Sequence, residues 1–411
     1  MVYVEKFKLD TLDNGIRVVT EEVDFVKSVA VGVWIRAGSI DENKEINGVA
    51  HLIEHLLFKG TKKRSSFQIA YDIESIGGGI NAFTSKDNTC YYVRIISDHI
   101  ERAFEVLSDL VCNYDINGRK LKSEKNIVYE EIKESEDDPF ELVNDLFQSC
   151  LFPEHPYGMP VQGTLESVKN IDLQDIFRFL EANYSSDRVI ISVAGNLEHD
   201  RIVDISQKYF GKLGKSDYKR QIEPVVFPKE KRFVFRKDIA QTHVIIGRRT
   251  FPINDERRYV LNLLNVILSG GMSSRLFQNI REKFGYVYSI NSFVDFFDTQ
   301  GIFGIYAGVN SSKMERVIEL IYSELRKVAK GEIKESEIAK AKEQLKGSIV
   351  ISMENMSTRM NRLAKMLIYE GKLYSIDEIL KKVSKVTKDS VIELAKFLYN
   401  EGMFVETILT N

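Results

Sequence analysis

Three residues one helical turn apart, His51, Glu54 and His55, are the positions in this chain whose types and spacing point most directly to chemistry. If His51-Leu52-Ile53-Glu54-His55-Leu56-Leu57-Phe58 is helical, positions three and four apart share a face. The two imidazoles then project with the carboxylate, while Leu52, Ile53, Leu56 and Leu57 supply apolar contacts on the other sides. Two imidazoles one turn apart suit a tetrahedral zinc ion. The glutamate between them is placed to reach a water on the metal rather than the metal itself, which is the position of a general base. Two satisfied helix histidines beside a solvated glutamate are the plain structural alternative, but the chain has only 6 histidines, which makes a chance triplet uncommon.

A zinc held by two histidines needs a further protein ligand. The acidic stretch 124–134 offers Glu124, Glu130, Glu131 and Glu134, of which Glu124 and Glu131 lie seven apart and so on one helix face. Most of such a stretch is ordinarily solvated helix surface, and spacing alone does not choose among the four. His155, in His155-Pro156-Tyr157-Gly158, reads as a loop histidine rather than a fourth ligand. Gly77-Gly78-Gly79 is not a phosphate loop, because no Lys-Ser/Thr follows and no helix opens behind it. It reads as a turn before an edge strand.

The elements that must position these groups follow from local patterning. Alternation around Asp13-Asn14-Gly15 predicts a β-hairpin, and Ser28 to Arg36 predicts a strand rich in β-branched residues, with a polar loop from Gly38 to Gly48 leading into the histidine helix. Helices are expected at Ser66 to Ser75 and His99 to Cys112, and over 117–147 with a break at Asp137-Asp138-Pro139. A buried strand is expected at Val189 to Asn196 and a helix at Asp200 to Phe210. The polar run 211–230, with Gly214 and two prolines, has little periodicity and reads as a linker. Beyond it the pattern repeats with an offset of roughly 210 residues, Thr242 to Arg249 matching Ser28 to Arg36 and Tyr259 to Leu268 matching the histidine helix without its histidines. The C-terminal stretches 334–352, 355–369, 376–386 and 388–399 read as packing helices. The expected fold is α+β: two homologous domains, 1–211 and 231–411, joined by the linker 212–230, each a mainly antiparallel sheet with helices packed on one face.

Composition bounds the rest. A chain of 411 residues exceeds what one core usually fills. Its 57 basic and 60 acidic residues leave a net charge of −3, which supplies no global attraction to nucleic acid or an anionic membrane, so neither is expected as a partner. Neither a signal-like N-terminus nor an apolar run of membrane-spanning length is apparent, and a cytoplasmic location is expected. Cys90, Cys112 and Cys150 are widely spaced, odd in number and suggest no disulfide frame or thiolate metal site.

Taken together, the motifs resemble those of the insulinase/pitrilysin family of zinc peptidases, the inverzincins, whose H-x-x-E-H reverses the commoner H-E-x-x-H. The resemblance covers essentially the whole chain and is closest to the bacterial branch similar to mitochondrial processing peptidase. It rests on His51-x-x-Glu54-His55 together with Thr11-Leu12-Asp13-Asn14-Gly15-Ile16-Arg17-Val18, Phe58-Lys59-Gly60-Thr61, Asn81-Ala82-Phe83-Thr84, the helix from Glu124 to Glu131, His155-Pro156-Tyr157-Gly158 and Arg281-Glu282-Lys283-x-Gly285.

The resemblance implies one zinc ion per chain, held by His51, His55 and Glu131, with Glu124 as a support behind the ligands and Glu54 as the base. It implies that Asn81, Ala82 and Phe83 form the edge at which substrate backbone pairs, and that Arg281 and Tyr288 polarise the scissile carbonyl, Tyr286 being the alternative tyrosine. The activity it implies is endopeptidase cleavage of peptides or unfolded segments enclosed in a clamshell chamber. A chain with two domain copies resembles half of the four-domain members, which implies a homodimer in which Arg281 and Tyr288 serve the partner's site. The rival expectation is a catalytically silent partner or assembly subunit of the same fold, or a zinc hydrolase of another reaction class.

Overall fold

The computed structural model describes residues 5–399 and 402–411. The strands are β1 (Lys6–Thr11), β2 (Arg17–Glu22), β3 (Ser28–Ile35), β4 (Gly79–Thr84), β5 (Thr89–Ile96), β6 (Val189–Gly195), β7 (Arg232–Arg236), β8 (Thr242–Thr250), β9 (Val287–Phe296), β10 (Gly301–Val309) and β11 (Val405–Thr410). The helices of the first half are α1 (Val49–Leu57), α2 (Ser66–Glu74), α3 (Ile100–Cys112), α4 (Gly118–Asp137), α5 (Pro139–Leu151), α6 (Leu165–Asn170), α7 (Leu173–Asn183) and α8 (His199–Phe210). Those of the second are α9 (Arg258–Ser269), α10 (Met314–Ala329), α11 (Glu335–Ser352), α12 (Met356–Tyr369), α13 (Ile376–Lys385) and α14 (Lys388–Leu398).

The strands form two sheets, ordered β1-β2-β6-β3-β5-β4 and β7-β11-β8-β10-β9. Every neighbouring pair is antiparallel except β2 with β6 and β11 with β7, so both sheets are mainly antiparallel. The hairpin around Asn14-Gly15 closes with Thr11 opposite Arg17. In each sheet the strand before the repeated helix is central and the strand after it is an edge, β4 in the first and β9 in the second.

Strand alternation decides which side the helices cover. In β3, Val29, Val31, Val33 and Ile35 enter the first core with Leu52, Ile53 and Leu56 of α1, Phe104 and Leu107 of α3 and Phe179 of α7. In β8, Val244 and Ile246 enter the second core with Leu261 and Leu264 of α9 and Val317 and Ile321 of α10. The helical layer expected on one face of each sheet is therefore present.

The reverse faces carry one further helix each, and these come from the other half of the sequence. The first compact unit comprises Met1–Lys133, Met159–Pro224 and Ser352–Leu373, and so includes α12; the second comprises Glu134–Gly158, Val225–Ile351 and Tyr374–Asn411, and so includes α5. On the first sheet the Trp34 indole N–H donates to Met360 Sδ at 3.3 Å, and a Cβ at Gly32 would stand 2.4 Å from the same sulfur. On the second, a Cβ at Gly247 would stand 2.4 Å from Phe147 of α5. Glycine at both places lets a helix lie directly on the sheet. The units are thus discontinuous in sequence, each taking one segment from across the 212–230 run, which itself carries no helix or strand. Among the described residues no helix is long and apolar enough to cross a membrane.

Candidate metal centre

The start of helix α1 is tied to Glu42. Its carboxylate is buried and accepts hydrogen bonds from the Gly48 N–H at 2.8 Å, the Ala50 N–H at 2.8 Å and the Asn47 amide at 2.9 Å. These fill acceptor needs of the first turn that no side chain of α1 supplies. Burial pushes the Glu42 carboxyl up to about 7, with the three donors acting against that rise. From that start Val49, Ala50, Leu52, Ile53, Leu56 and Leu57 are buried, and His51, Glu54 and His55 are left half-buried on the remaining face.

Helix α4 brings the carboxylates. Leu121, Glu124, Val128 and Ile132 form its buried stripe, which places Glu124 inside a row of apolar residues and Glu131 beside it. Glu131 Oε2 lies 3.5 Å from His55 Nε2 and 4.0 Å from His51 Nε2, and the two imidazole centroids are 4.7 Å apart. Candidate donor atoms of His51, His55 and Glu131 all fall within 4.8 Å of one another, and no other cluster of this kind occurs among the described residues. Of the four acidic candidates on α4, geometry selects Glu131 as the member of the cluster. Glu130 is exposed and paired with Lys133 at 2.7 Å, and Glu134 is exposed.

The donor set fits zinc. Donors around a tetrahedral zinc stand about 3.3 to 3.5 Å apart, so small side-chain rotations close this cluster around an ion. Metal binding requires a neutral imidazole, and burial, helped by the neighbouring His55, lowers His51 to about 4. His51 Nδ1 and Glu124 Oε2, buried without a hydrogen-bond partner among the described residues, lie away from the Nε2 atoms that face Glu131. Glu124 Oε2 lies 3.7 Å from His55 Nδ1, and Lys59 Nζ stands 3.1 Å from Glu124 Oε1. The 3.7 Å between His55 and Glu124 is an ion-pair distance rather than a hydrogen bond; a proton on His55 Nδ1 would face Glu124 and leave the Nε2 lone pair for the cluster, the carboxylate–histidine–metal order. Lys59 supplies the counter-charge that lets Glu124, 1% exposed, remain in its apolar stripe.

Glu54 shares the face but is absent from the donor cluster. Burial pushes its carboxyl up, and the Thr84 hydroxyl, donating to Oε2 at 2.5 Å, acts against that rise. Thr84 ends β4. Ile80 and Ala82, on the same side of that strand, pack on the first core, whereas Phe83 faces the other way and meets the Trp34 ring edge-on at 5.4 Å. Asn81 is exposed, and its Oδ1 accepts the Ala82 N–H at 2.8 Å. The expected substrate edge is therefore a strand paired on one side, with one of its N–H groups covered by its own neighbour.

Arg281 and Tyr288 belong to the second unit. Arg281 lies exposed in a π-helical turn, Phe277–Glu282, its guanidinium 4.8 Å from the Phe277 ring centroid. Tyr288 is 76% exposed on the edge strand β9, while Tyr286 is half-buried, stacked on Phe284 at 5.3 Å and approached by Lys313. Of the two tyrosines, Tyr288 is the one with a free ring. His155 is buried, accepts the Tyr157 N–H on Nδ1 at 3.1 Å and packs between Phe152 and Tyr157, as a loop histidine does. Helix α9, the counterpart of α1, contains no histidine, cysteine or acidic residue.

Three contributors escaped the sequence reading. Thr84 and Lys59 lie inside segments already singled out, and strand alternation or helix-exit spacing would have pointed each toward the site; Glu42 leaves no such signal, because two of its three partners are backbone N–H groups. A further arrangement, Asp10–His199–Thr20 with 2.7 Å at both links, has the order of a proton relay. Thr20 is 1% exposed in the sheet, however, so no substrate reaches its hydroxyl and the set is structural.

A His-His-Glu cluster on an α+β scaffold, with a non-ligand glutamate inside an inverted H-x-x-E-H helix, defines the class as zinc-protease-like. Comparison with known proteins gives the family. The family model described as Insulinase (Peptidase family M16) matches residues 17–165, and that described as Peptidase M16 inactive domain matches residues 170–345. The uncharacterized zinc protease YmxG of Bacillus subtilis is 38% identical over 391 residues, covering 95% of each chain. An uncharacterized zinc protease of Streptomyces coelicolor is 37% identical, covering 94% of this chain and 86% of its own. A protease from Helicobacter pylori has the same fold, with a TM-score of 0.92 over 99% of this chain and 100% of its own at 22% identity. The chain belongs to the insulinase family, peptidase family M16.

Proposed function

We propose that this chain is a zinc-dependent endopeptidase that cleaves small peptides and unfolded segments, with Glu54 as the proton-transfer group. The observation that carries this reading is the separation of roles on one helix face: His51 and His55 join Glu131 in a donor cluster, and Glu54 stands beside them with its carboxylate outside it. The relatives' names as zinc proteases support zinc as the ion. When bound, one zinc per chain supplies the Lewis acidity that polarises a carbonyl and acidifies water. Glu54 takes the proton from the attacking water and returns it to the leaving amine. Glu124 and Lys59 keep the His55 ring oriented.

Substrate pairs as an added strand on β4, taking the Ala82 N–H from Asn81. Backbone hydrogen bonds then supply most of the affinity, and side-chain preference is loose. Peptides and unfolded segments present such a strand freely, which favours them as substrates enclosed in a chamber between subunits. The test is product analysis on a peptide mixture with and without a zinc chelator. New α-amino and carboxyl termini that disappear on chelation and return with zinc are expected. Side-chain deamidation without backbone cleavage, or no conversion at all, contradicts the reading.

The exposed Arg281 and Tyr288 support a homodimer in which each chain lends these two groups to its partner's reacting carbonyl. Mixing a Glu54→Gln chain with an Arg281→Ala chain under exchange conditions then regains roughly a quarter to a half of the unmodified activity, since a mixed dimer holds one intact site. Confirmed mixed dimers without recovery rule out the exchange. A cytoplasmic location belongs to the same proposal.

A further inference from the structure

Edge strand β4 joins two parts of the site that are otherwise separate. It is paired with β5 on one side only, from Gly79 opposite Arg94 to Thr84 opposite Thr89. Its pleat sends Ile80, Ala82 and Thr84 toward the side on which Ile80 and Ala82 meet the core and Thr84 meets Glu54 of α1. The Thr84 hydroxyl supplies the one hydrogen bond given to the Glu54 carboxylate among the described residues.

That bond has a geometric consequence. A glutamate reaches its carboxylate through three torsions, the last of them broad, so an unheld carboxylate spreads over many orientations. A donor fixed on Oε2 restricts that last rotation and leaves Oε1 as the oxygen free to receive a proton. The same hydroxyl makes the carboxylate a slightly weaker base, so its benefit has to be orientation. The donor sits on a strand whose outer edge is open, two residues beyond the Ala82 N–H that Asn81 covers. A peptide that takes that N–H adds a second ladder to β4 and restrains the strand carrying Thr84.

We propose that Thr84 is a positioning residue that couples strand addition at β4 to the alignment of Glu54, so that part of the peptide's backbone binding energy appears in kcat rather than in KM. The inference rests on the peptidase reading above. It assigns a preference for peptides long enough to pair along Asn81 to Thr84, expressed as faster turnover.

The test uses the zinc-loaded full chain, a long and a short quenched fluorogenic peptide, and the variants Thr84→Val and Thr84→Ser. Valine keeps the shape without the donor. It is expected to lower kcat for the long peptide about 10- to 100-fold with KM within about twofold, and to shrink the turnover advantage of long over short. Serine is expected to recover most of the loss. Zinc affinity, measured by chelator competition, should be the same in all three chains. In a Glu54→Gln background, Thr84→Val should cause no further loss, because Thr84 acts through Glu54. An unchanged kcat in Thr84→Val, a serine variant as slow as the valine one, weakened zinc binding, or an equal loss in the Glu54→Gln background each overturns the coupling while leaving the peptidase reading intact. Absence of Glu54-dependent cleavage by the unmodified chain overturns both.

Discussion

Replacing Glu54 by glutamine is expected to lower kcat/KM on any peptide by about a thousand-fold, within the range that general acid–base groups contribute. The substitution is nearly isosteric and its carbonyl oxygen still accepts from Thr84, so the geometry at β4 stays. What is lost is the capacity to take a proton. Because Glu54 lies outside the His51, His55 and Glu131 cluster, zinc binding should persist. In the metal-free chain stability should not suffer either. Burial raises the Glu54 carboxyl above its unfolded value, so the stability linked to its neutral form is complete below the ordinary carboxylate range and is lost as pH rises through the raised value. At neutral pH a permanently neutral glutamine removes that loss. Steady-state kinetics and thermal unfolding on the same samples check both statements, and a variant retaining near-normal kcat/KM removes Glu54 from the role of base.

Replacing Glu131 by alanine should act on the metal instead. It removes the single carboxylate of the donor cluster, and zinc affinity is expected to fall by about 10³-fold or more, with activity following the metal. The neighbouring glutamates grade the effect. Glu124→Ala leaves the cluster intact but frees the His55 ring and strands Lys59 beside an apolar stripe, for an expected loss of about 10- to 100-fold in zinc affinity. Glu130→Ala, at an exposed residue paired with Lys133, should change zinc affinity hardly at all. Competition with a chromophoric chelator measures all three. A loss in Glu130→Ala as large as in Glu131→Ala would mean that α4 faces the metal differently.

The two helices at the site differed in how far they could be read. For α1 the sequence contained almost everything: the alternation of Leu52, Ile53, Leu56 and Leu57 against His51, Glu54 and His55 separates a core face from a reacting face by periodicity alone. For α4 it did not, because Glu124 sits within the apolar stripe of Leu121, Val128 and Ile132, and nothing local tells a buried supporting carboxylate from an exposed one. Family resemblance placed Glu131; spacing left four candidates. Strands followed the same division. The β1–β2 hairpin and buried β6 announce themselves in their own residues, whereas β11, Val405–Thr410, was not anticipated, and its place between β7 and β8 depends on partners far along the chain.

The exchange of α5 and α12 between units was the least legible feature. Periodicity shows that 139–151 and 355–369 are amphipathic helices but does not say which sheet their apolar faces meet. The decisive signals, Gly32 opposite Met360 and Gly247 opposite Phe147, are small residues in strands that acquire meaning only once a helix is laid across them.

The central claim, that His51, His55 and Glu131 hold a zinc ion beside Glu54 for peptide hydrolysis, is tested most directly by one paired measurement. Bound zinc and cleavage of a quenched fluorogenic peptide are determined on the same preparations of the unmodified and Glu54→Gln chains. About one zinc per chain is expected in both, with cleavage about a thousand-fold slower in the Glu54→Gln chain. Bound zinc in both chains, with peptide cleavage absent from both or equal in the two, would contradict the claim.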